Sequence, residues 1–281
     1  MINPDTRILV LGAQGMLGSE LCSALSWLCH LTAWDIDDLD ITDRESVLSA
    51  ISELMPHEVV NCAAYTDVDG CESNEEEATA VNAIAPGYIA EACLRTGARL
   101  THISSEYIFD GRSETDYTEG DRPNPLSVYG RGKLSGELEV SATGCRYAII
   151  RTQWLYGAGG RNFVDTIITK ASERPKLKVV DDQIGRPTWS NELALAITEF
   201  LRNDSPGVYH LAAGGTCSWY DVAIEIARLK NLPACIEPVP TSQFPRPAPR
   251  PARAVLDCSF IKQKLGIEMR HWKEALADYL G

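Results

Sequence analysis

The chain has little positive charge and no long hydrophobic run. Its 281 residues include 26 Lys and Arg against 39 Asp and Glu, which gives a net charge of −13 at pH 7. Such an excess of acid repels a nucleic-acid backbone and an anionic membrane surface, so we expect neither as a partner. No run approaches the roughly 18 apolar residues of a membrane span, and the N-terminus lacks the pattern of a signal peptide. We therefore expect a soluble cytoplasmic protein.

The sequence also lacks a motif for a metal centre. Its nine cysteines are scattered without a CxxC pair, and its five histidines show no ligand spacing. Several cysteines stand in apolar runs, which favours buried free thiols over disulfides or a zinc site. These observations assign no metal to the chain.

Short apolar runs alternate with amphipathic stretches over the first half of the chain. The predicted elements are strands at Arg7–Leu11, Leu31–Asp35, Glu58–Ala63, Arg99–Ser104 and Tyr147–Arg151, with helices at Gly15–Leu28, Arg44–Leu54 and Asn74–Thr96. Strands that are apolar throughout and separated by helices indicate a parallel sheet covered on both faces. We predict an α/β fold, a Rossmann-type doubly wound parallel sheet with a smaller mixed α/β lobe built from later segments.

A glycine-rich turn follows the first strand and opens a helix. Such a turn lets the backbone approach a pyrophosphate, and the helix N-terminus supplies amide donors. The predicted cofactor contacts in this segment are Gly12, Gln14, Gly15, Met16, Leu17 and Gly18. Asp35, at the end of the second strand, suits the hydroxyls of a ribose. We therefore assign residues 1–151, with a returning segment at roughly 182–205, to an NAD(P)-binding domain and the remainder of 152–281 to a substrate-binding lobe.

The stretch around Asp35 is acidic, with Asp37, Asp38 and Asp40 close behind it. A 2′-phosphate would be repelled there unless an arginine such as Arg44 reached back to it. The sequence therefore favours NADH and leaves NADPH open.

Tyr129 and Lys133 lie four residues apart, so they share one face of a helix. A nearby ammonium stabilises a phenolate, and this makes the tyrosine a usable proton donor and acceptor. Ser104 and Ser105 end a strand at the carboxyl edge of the predicted sheet, where α/β folds bind ligands. We take Ser105 as the hydroxyl that hydrogen-bonds a substrate carbonyl, with Ser104 as its nearest competitor.

The order of glycine turn, Ser105, Tyr129 and Lys133 resembles the extended short-chain dehydrogenases/reductases. Several segments resemble, more specifically, the dTDP-4-dehydrorhamnose reductase family. They are VNCAAYTDVDGCE (60–72), SSEYIFDG (104–111), PLSVYGRGKLSGE (125–137), RTQWLYG (151–157), DDQIGRPT (181–188), VYHLAAGGTCSWYD (208–221) and RPARAVLD (250–257). The resemblance covers nearly the whole chain.

The resemblance implies NAD(P)H-dependent reduction of the 4-keto group of a nucleotide-linked deoxysugar, with dTDP-4-dehydro-L-rhamnose becoming dTDP-L-rhamnose. Tyr129 would give the oxygen its proton, Lys133 would lower the phenol pKa and hold the nicotinamide ribose, and Ser105 would polarise the carbonyl. Reduction of another dTDP-4-keto-6-deoxysugar is a close alternative. A nucleotide-sugar epimerase or dehydratase is less favoured, because the downstream segments match the reductase. A dehydratase would also have acidic residues after the serine, which Glu106 matches only in part. A non-catalytic regulatory subunit, like the relative that partners methionine adenosyltransferase, is a third alternative.

The resemblance also implies further site residues. Asn61, Ala63, Ala64 and Asn82 are assigned to the cofactor side. The substrate side takes Ser104, Ser105, Tyr129, Trp154, Gln183, Arg186 and Arg250. The family has a serine where this chain has Ala254, which puts one substrate contact in doubt.

Some family members bind magnesium through glutamates near a dimer contact. Glu20 and Glu192 match two of those positions, but the third is Lys273, a cation where a ligand is needed. We leave magnesium uncertain, assign no metal residue and regard a homodimer as possible.

Overall fold

A six-stranded parallel sheet forms the centre of the computed structural model, which describes residues 2–281. Its strands are β1 (Arg7–Leu11), β2 (His30–Trp34), β3 (Glu58–Asn61), β4 (Arg99–Ser105), β5 (Arg146–Thr152) and β10 (Gly207–His210). Across the sheet they run in the order β10-β5-β4-β3-β1-β2, with every neighbouring pair parallel. The predicted doubly wound α/β class is confirmed. The chain changes direction across the sheet between β1 and β3, and this opens a crevice at the carboxyl ends of the strands.

Helices cover both faces of the sheet, and the strands are apolar throughout for that reason. One face is packed by α1 (Met16–Leu25) and α8 (Ser190–Leu201), and α10 (Ser259–Leu265) joins them. The other face is packed by α2 (Arg44–Leu54), α5 (Ala85–Thr96) and α6 (Val128–Ala142). Within residues 2–281 no helix combines the length and the apolar character needed to cross a membrane.

The prediction of a single helix over Asn74–Thr96 is wrong for the first half of that range. The chain forms α3 (Val68–Ser73), α4 (Glu75–Thr79), a π-helical turn (Ala80–Ile84) and then α5. Pro86, in the first turn of α5, has no N–H to donate to the carbonyl of Asn82, so regular α-helical bonding fails there. The Asn82 side chain instead holds the backbone of Tyr65, accepting from its N–H at 2.9 Å and donating to its carbonyl at 3.0 Å.

A smaller lobe follows β5 and has its own apolar core. Its elements are β6 (Leu155–Tyr156), α7 (Phe163–Glu173), β7 (Lys176–Val180), β8 (Ile184–Gly185), β9 (Thr188–Trp189), β11 (Cys217–Ser218), α9 (Trp219–Leu229), β12 (Cys235–Val239) and α11 (Trp272–Leu280). Val164, Ile167, Val222, Ile226 and Trp272 lie in its core. Residues 244–252 form neither helix nor strand.

The segment that returns to the large sheet differs from the expected 182–205. Residues 182–189 carry β8 and β9, which pair in small two-stranded sheets, whereas α8 and β10 return to the large sheet over 190–210. Residues 207–210 fall in the range assigned above to the smaller lobe. They form β10, the edge strand of the large sheet, which pairs with β5 in register, with Val208 opposite Ile149.

All nine cysteines are free, and Cys235 is the exposed one. Four of the others are buried (Cys71, Cys93, Cys145 and Cys217), as predicted for several of the thiols, and the remaining four are half-buried.

The glycines of α6 let this helix pack directly against neighbouring backbone. A Cβ at Gly130 would collide with the carbonyl oxygen of Tyr107, and one at Gly136 with the carbonyl oxygen of Asn82. Because no side chain separates them, α6 lies tightly against the 3-10 turn Glu106–Ile108 after β4 and against the π-helical turn.

This packing gives a stability test. We expect Gly136→Ala to lower the free energy of unfolding by about 1–3 kcal/mol, because the added methyl group must displace backbone. Helix propensity alone would act in the opposite direction, by about 1 kcal/mol. Urea unfolding measures the difference, with Ser141→Ala, an exposed position on the same helix, as the control. A stabilised Gly136→Ala protein would show that α6 is not held by this close approach.

Candidate active site

A cavity of about 720 Å³ opens at the carboxyl ends of the strands, beside the boundary between β1 and β3 where the strand order reverses. It is bounded by the turn from β1 into α1, the ends of β2 to β5 and the first turn of α6. Fourteen residues expected at the site line it: Gly12, Gln14, Gly15, Met16, Leu17, Gly18, Asp35, Ala63, Ala64, Ser104, Ser105, Tyr129, Lys133 and Trp154. The fold thus brings together residues that are more than a hundred positions apart in sequence.

The glycine turn is compact because its glycines touch backbone. Gly12 has φ +74°, and a Cβ there would stand 2.6 Å from the amide nitrogen of Ala63. A Cβ at Gly18 would collide with the carbonyl oxygen of Gly12, so α1 packs directly on the turn. No side chain caps α1 at Gly15, and the amide N–H groups of its first turn are therefore free for an anionic ligand at the cavity.

Asp35 stands at the end of β2 with its carboxylate fixed by backbone. One oxygen accepts from the N–H of Gln14 at 2.7 Å and the other from the N–H of Ile36 at 2.9 Å. The carboxylate therefore joins the glycine turn to the rim of the cavity. Arg44 does not reach back toward it, because its guanidinium is bound by Glu91 at 2.7 Å and by Glu45 at 2.7 Å.

Tyr129 and Lys133 project from α6 into the cavity. The Lys133 ammonium donates to the carbonyl oxygen of Ile103 at 2.6 Å, and burial lowers its pKa to about 8. Burial raises the pKa of Tyr129, and the negative charge of Glu106 raises it further. This direction is opposite to the one predicted from the Tyr and Lys spacing, because loss of solvent outweighs the ammonium. The phenol is therefore protonated at neutral pH, as a proton donor must be.

Ser105 is buried and its hydroxyl is engaged. It donates to a carboxyl oxygen of Glu106 at 2.6 Å and accepts from the N–H of Tyr107 at 3.3 Å. Its neighbour Ser104, also buried, has a hydroxyl with no partner among the described residues.

Thr152 and Gln153 are among the lining residues that the sequence did not predict. The Thr152 hydroxyl and the Gln153 side-chain amide nitrogen are buried without a protein partner among residues 2–281. An unpaired buried polar group costs about 1–3 kcal/mol, so these atoms suit a polar ligand. The rule that strand carboxyl ends bind ligands could have found them, since Thr152 lies opposite Ser105 in the β4–β5 register.

Trp154 forms an aromatic wall with a residue from the smaller lobe. Its ring stacks on that of Trp219 with centroids 3.6 Å apart and planes 8° apart, and Phe163 packs against the second ring. Trp154 has a left-handed backbone with φ +47°, which is strained for an aromatic residue and is held by this packing. Nothing near Trp154 in the sequence signals Trp219, which also lines the cavity.

Two asparagines assigned to the cofactor stand behind the cavity wall. Asn61 is buried, with its side chain bonded to His102 at 3.1 Å and to the N–H of Ala63 at 3.1 Å. Asn82 is buried against α6 and holds Tyr65, as described above. Both position the backbone that forms the wall, and neither lines the cavity.

Three residues assigned to the substrate also lie outside the cavity lining. Gln183 donates to Thr241 at 3.0 Å, Arg186 pairs with Asp116 at 2.9 Å, and Arg250 pairs with Asp69 at 2.5 Å. Of the three, Arg250 acts through its charge on the pKa of Tyr107, which does line the cavity.

Ala254, the departure from the family pattern, is in the core. It packs with Ile108, Phe109, Tyr117 and Leu256, and only 3% of it is exposed. The missing serine hydroxyl is thus replaced by an apolar contact at a position away from the cavity.

The three residues at the positions that resemble a magnesium site have other partners. Glu20 accepts from Asn191 at 2.8 Å, and the guanidinium of Arg270 is bonded to Glu192. Lys273 has its ammonium over the ring of Trp272. Within residues 2–281 no cluster of three or more His, Cys, Asp or Glu side chains could hold a metal ion.

Comparison with known proteins agrees with this geometry. The family model described as the RmlD substrate binding domain matches residues 6–281. The spore coat polysaccharide biosynthesis protein SpsK of Bacillus subtilis is 40% identical, covering 98% of this chain and 97% of that protein. The dTDP-4-dehydrorhamnose reductase of Burkholderia thailandensis is 37% identical, covering 96% of both. A probable dTDP-4,6-dihydroxy-2-methyloxan-3-one 4-ketoreductase of Streptomyces antibioticus is 40% identical, covering 97% of this chain and 94% of that protein.

Solved structures give the same result. A dTDP-4-dehydrorhamnose reductase of Clostridium acetobutylicum superposes with a TM-score of 0.96 at 41% identity, covering 98% of both chains. The dTDP-4-dehydrorhamnose reductase of Bacillus anthracis, solved in complex with NADP, has a TM-score of 0.95 at 35% identity, also covering 98% of both. The predicted family is therefore confirmed, and the chain belongs to the dTDP-4-dehydrorhamnose reductase (RmlD) family of nicotinamide-dependent oxidoreductases.

Proposed function

We propose that the protein reduces the 4-keto group of a dTDP-linked 6-deoxysugar, converting dTDP-4-dehydro-L-rhamnose to dTDP-L-rhamnose. The observation that carries this proposal is the convergence of Ser105, Tyr129 and Lys133 with the glycine turn on one cavity. Because the chain belongs to a family of nicotinamide-dependent oxidoreductases, we assign hydride and proton transfer to these residues.

The lining of the cavity fits a nicotinamide dinucleotide. The uncapped first turn of α1 suits the pyrophosphate, the Asp35 carboxylate suits the adenosine ribose, and Lys133 suits the nicotinamide ribose. The unpaired hydroxyls of Ser104 and Thr152 supply polar contacts deeper in the cavity. When bound, the reduced nicotinamide supplies the hydride that the keto carbon accepts.

The chain's own residues handle the proton and the orientation of the carbonyl. Tyr129 holds a proton on its phenol oxygen and passes it to the keto oxygen as negative charge develops there. The charged Lys133 stabilises the phenolate that remains, and it is charged below its pKa of about 8. Ser105 donates a hydrogen bond to the keto oxygen and so fixes its place beside the phenol.

The substrate side is supported by the aromatic wall and by nearby cations. Trp154 and Trp219 offer an apolar face to a deoxysugar. Arg250 suits the substrate pyrophosphate if it exchanges Asp69 for that anion, since a guanidinium binds two oxygens at once.

A second candidate substrate is another dTDP-4-keto-6-deoxysugar. The Streptomyces antibioticus relative described above is named as a 4-ketoreductase of another dTDP-linked compound. Its sequence identity to this chain, 40%, equals that of SpsK. The non-catalytic alternative is less favoured, because Ser105, Tyr129 and Lys133 are all present and face one cavity. A cytoplasmic location and a homodimer stay predictions.

For the cofactor we infer a preference for NADH over NADPH. Asp35 and Asp40 line the cavity where β2 ends, and Arg44 is bound by Glu91 and Glu45. A 2′-phosphate would meet these carboxylates, and Arg44 is held away from it.

Turnover is the first test of the proposed reaction. We expect purified protein to oxidise NADH in the presence of dTDP-4-dehydro-L-rhamnose, followed by loss of reduced-cofactor absorbance. We expect Tyr129→Phe to lower kcat by roughly 10²–10⁴-fold while NADH binding is retained, because the proton donor alone is lost.

Tyr147→Phe, at the opposite end of β5, is the control and should retain wild-type kcat. Absence of turnover with either cofactor on any dTDP-4-keto-6-deoxysugar would refute the proposed reaction. Full activity of Tyr129→Phe would refute the role of the phenol alone.

Cofactor preference has its own test. We expect Asp35→Ala to weaken NADH binding by roughly 10–100-fold, because a hydrogen bond to a charged group contributes about 1.5–3 kcal/mol. NADPH binding should change less, which narrows the ratio of the two dissociation constants. Asp37→Ala removes the same charge from an exposed neighbour that is outside the lining, and should leave the ratio almost unchanged. Equal effects of the two substitutions would show that bulk charge sets the preference.

A further inference from the structure

Glu106 is a buried acid that has no role in the reaction proposed above. Only 2% of it is exposed, and it lines the cavity beside Ser105 and Tyr129. No salt bridge joins it to a cation within residues 2–281, and its one side-chain partner is the Ser105 hydroxyl, at 2.6 Å. Burying a carboxyl group without a cation is costly, so a role in the site accounts for its place better than stability does.

The hydrogen bond between these residues decides what the serine can do. A serine hydroxyl has one proton to donate. While Glu106 is ionised it can only accept, so the Ser105 proton is directed to it and is lost to the keto oxygen. When Glu106 is protonated its own O–H can donate to Ser105 Oγ, and the serine proton is released toward the cavity.

We propose that Glu106 is a positioning residue that acts through Ser105, and that the protonated form of Glu106 is the one that turns the serine hydroxyl toward the substrate carbonyl. This inference rests on the proposed reduction. It adds a proton that is held during turnover and is not transferred, so the stoichiometry of hydride and proton is unchanged.

The surroundings of Glu106 support this role. Its backbone is held by the close approach of Gly130 to Tyr107, which fixes the turn against α6. Tyr129 from α6 and Tyr107 from the same turn face the carboxyl group, with Cys71 of α3 near Tyr129 and with Arg250 and Asp69 behind Tyr107. Burial raises the pKa of Glu106 to about 7, and the Ser105 hydrogen bond opposes that rise only in part. The protonated form is therefore available at neutral pH.

The pH dependence of kcat/KM tests the proposal. Activity requires Glu106 protonated, with a pKa of about 7, and Lys133 charged, with a pKa of about 8. Both protons are lost as pH rises, so log kcat/KM of the wild type should fall with a slope of about −2 above both values. In Glu106→Gln the amide donates permanently to Ser105 Oγ, so the slope should be about −1 with activity at low pH within about threefold of wild type.

Two further variants separate this role from a structural one. Ser105→Ala should show a slope of about −1 at reduced activity, and adding Glu106→Gln to it should change the profile no further. Glu119→Gln, which removes a half-buried carboxyl outside the lining, should retain the slope of about −2. A slope of about −2 in Glu106→Gln or in Ser105→Ala would overturn the proposal. So would a folded Glu106→Gln protein that binds NADH but is inactive at every pH.

Infrared titration gives a readout that needs no turnover. Burial raises the pKa of Glu58 to about 7 as well, so the readout is the difference between the wild-type and Glu106→Gln spectra. That difference should contain a protonated carboxyl stretch that disappears as pH rises through about 7. That band without turnover on any dTDP-4-keto-6-deoxysugar would refute the proposed reaction and leave the state of Glu106 established. Turnover without the band would overturn the role of Glu106 and leave the reaction standing.

Discussion

The active-site geometry depends on the contact between the backbone of α6 and the chain that leaves β4. Gly130 brings the helix against the Tyr107 carbonyl group and Gly136 brings it against the Asn82 carbonyl group, in both cases without intervening side chains. The same contact sets the depth of Tyr129 and Lys133 in the cavity and holds Ser105 and Glu106 opposite them. A larger residue at Gly130 would alter all four positions together, so the alternation of glycine with functional residues between 129 and 133 is a single structural unit.

Burial controls the chemistry of these groups more than pairwise charge does. Removal from water raises the pKa of Tyr129 and of Glu106 and lowers that of Lys133, which moves each group toward its neutral form. A neutral phenol and a neutral carboxyl group both suit a site that must donate to a carbonyl oxygen. The lysine is the group for which burial is unfavourable, and the Ile103 carbonyl compensates in part.

The sequence predicted the large sheet and the cofactor side of the cavity because both depend on local patterns. Apolar runs and a glycine turn can be recognised from a few consecutive residues. Because the strands are parallel, their carboxyl ends bring Asp35 and Ser105 to one edge of the sheet. The interrupted helix before Pro86, the return of β10 to the sheet and the stack of Trp219 on Trp154 depend on contacts distant in sequence, which no local pattern records. The predicted direction of the Tyr129 pKa shift was wrong for the same reason, since burial is a property of the folded chain.

The distribution of the cysteines has a practical consequence for anyone who handles the protein. Burial raises the pKa of eight of the nine thiols, and a thiol without its thiolate form reacts slowly with electrophiles and oxidants. Cys235 alone is exposed, at the start of β12 in the smaller lobe. The native fold therefore favours maleimide labelling and intermolecular disulfide formation at Cys235, which lies outside the cavity lining, and rapid reaction at the four buried cysteines would report unfolding.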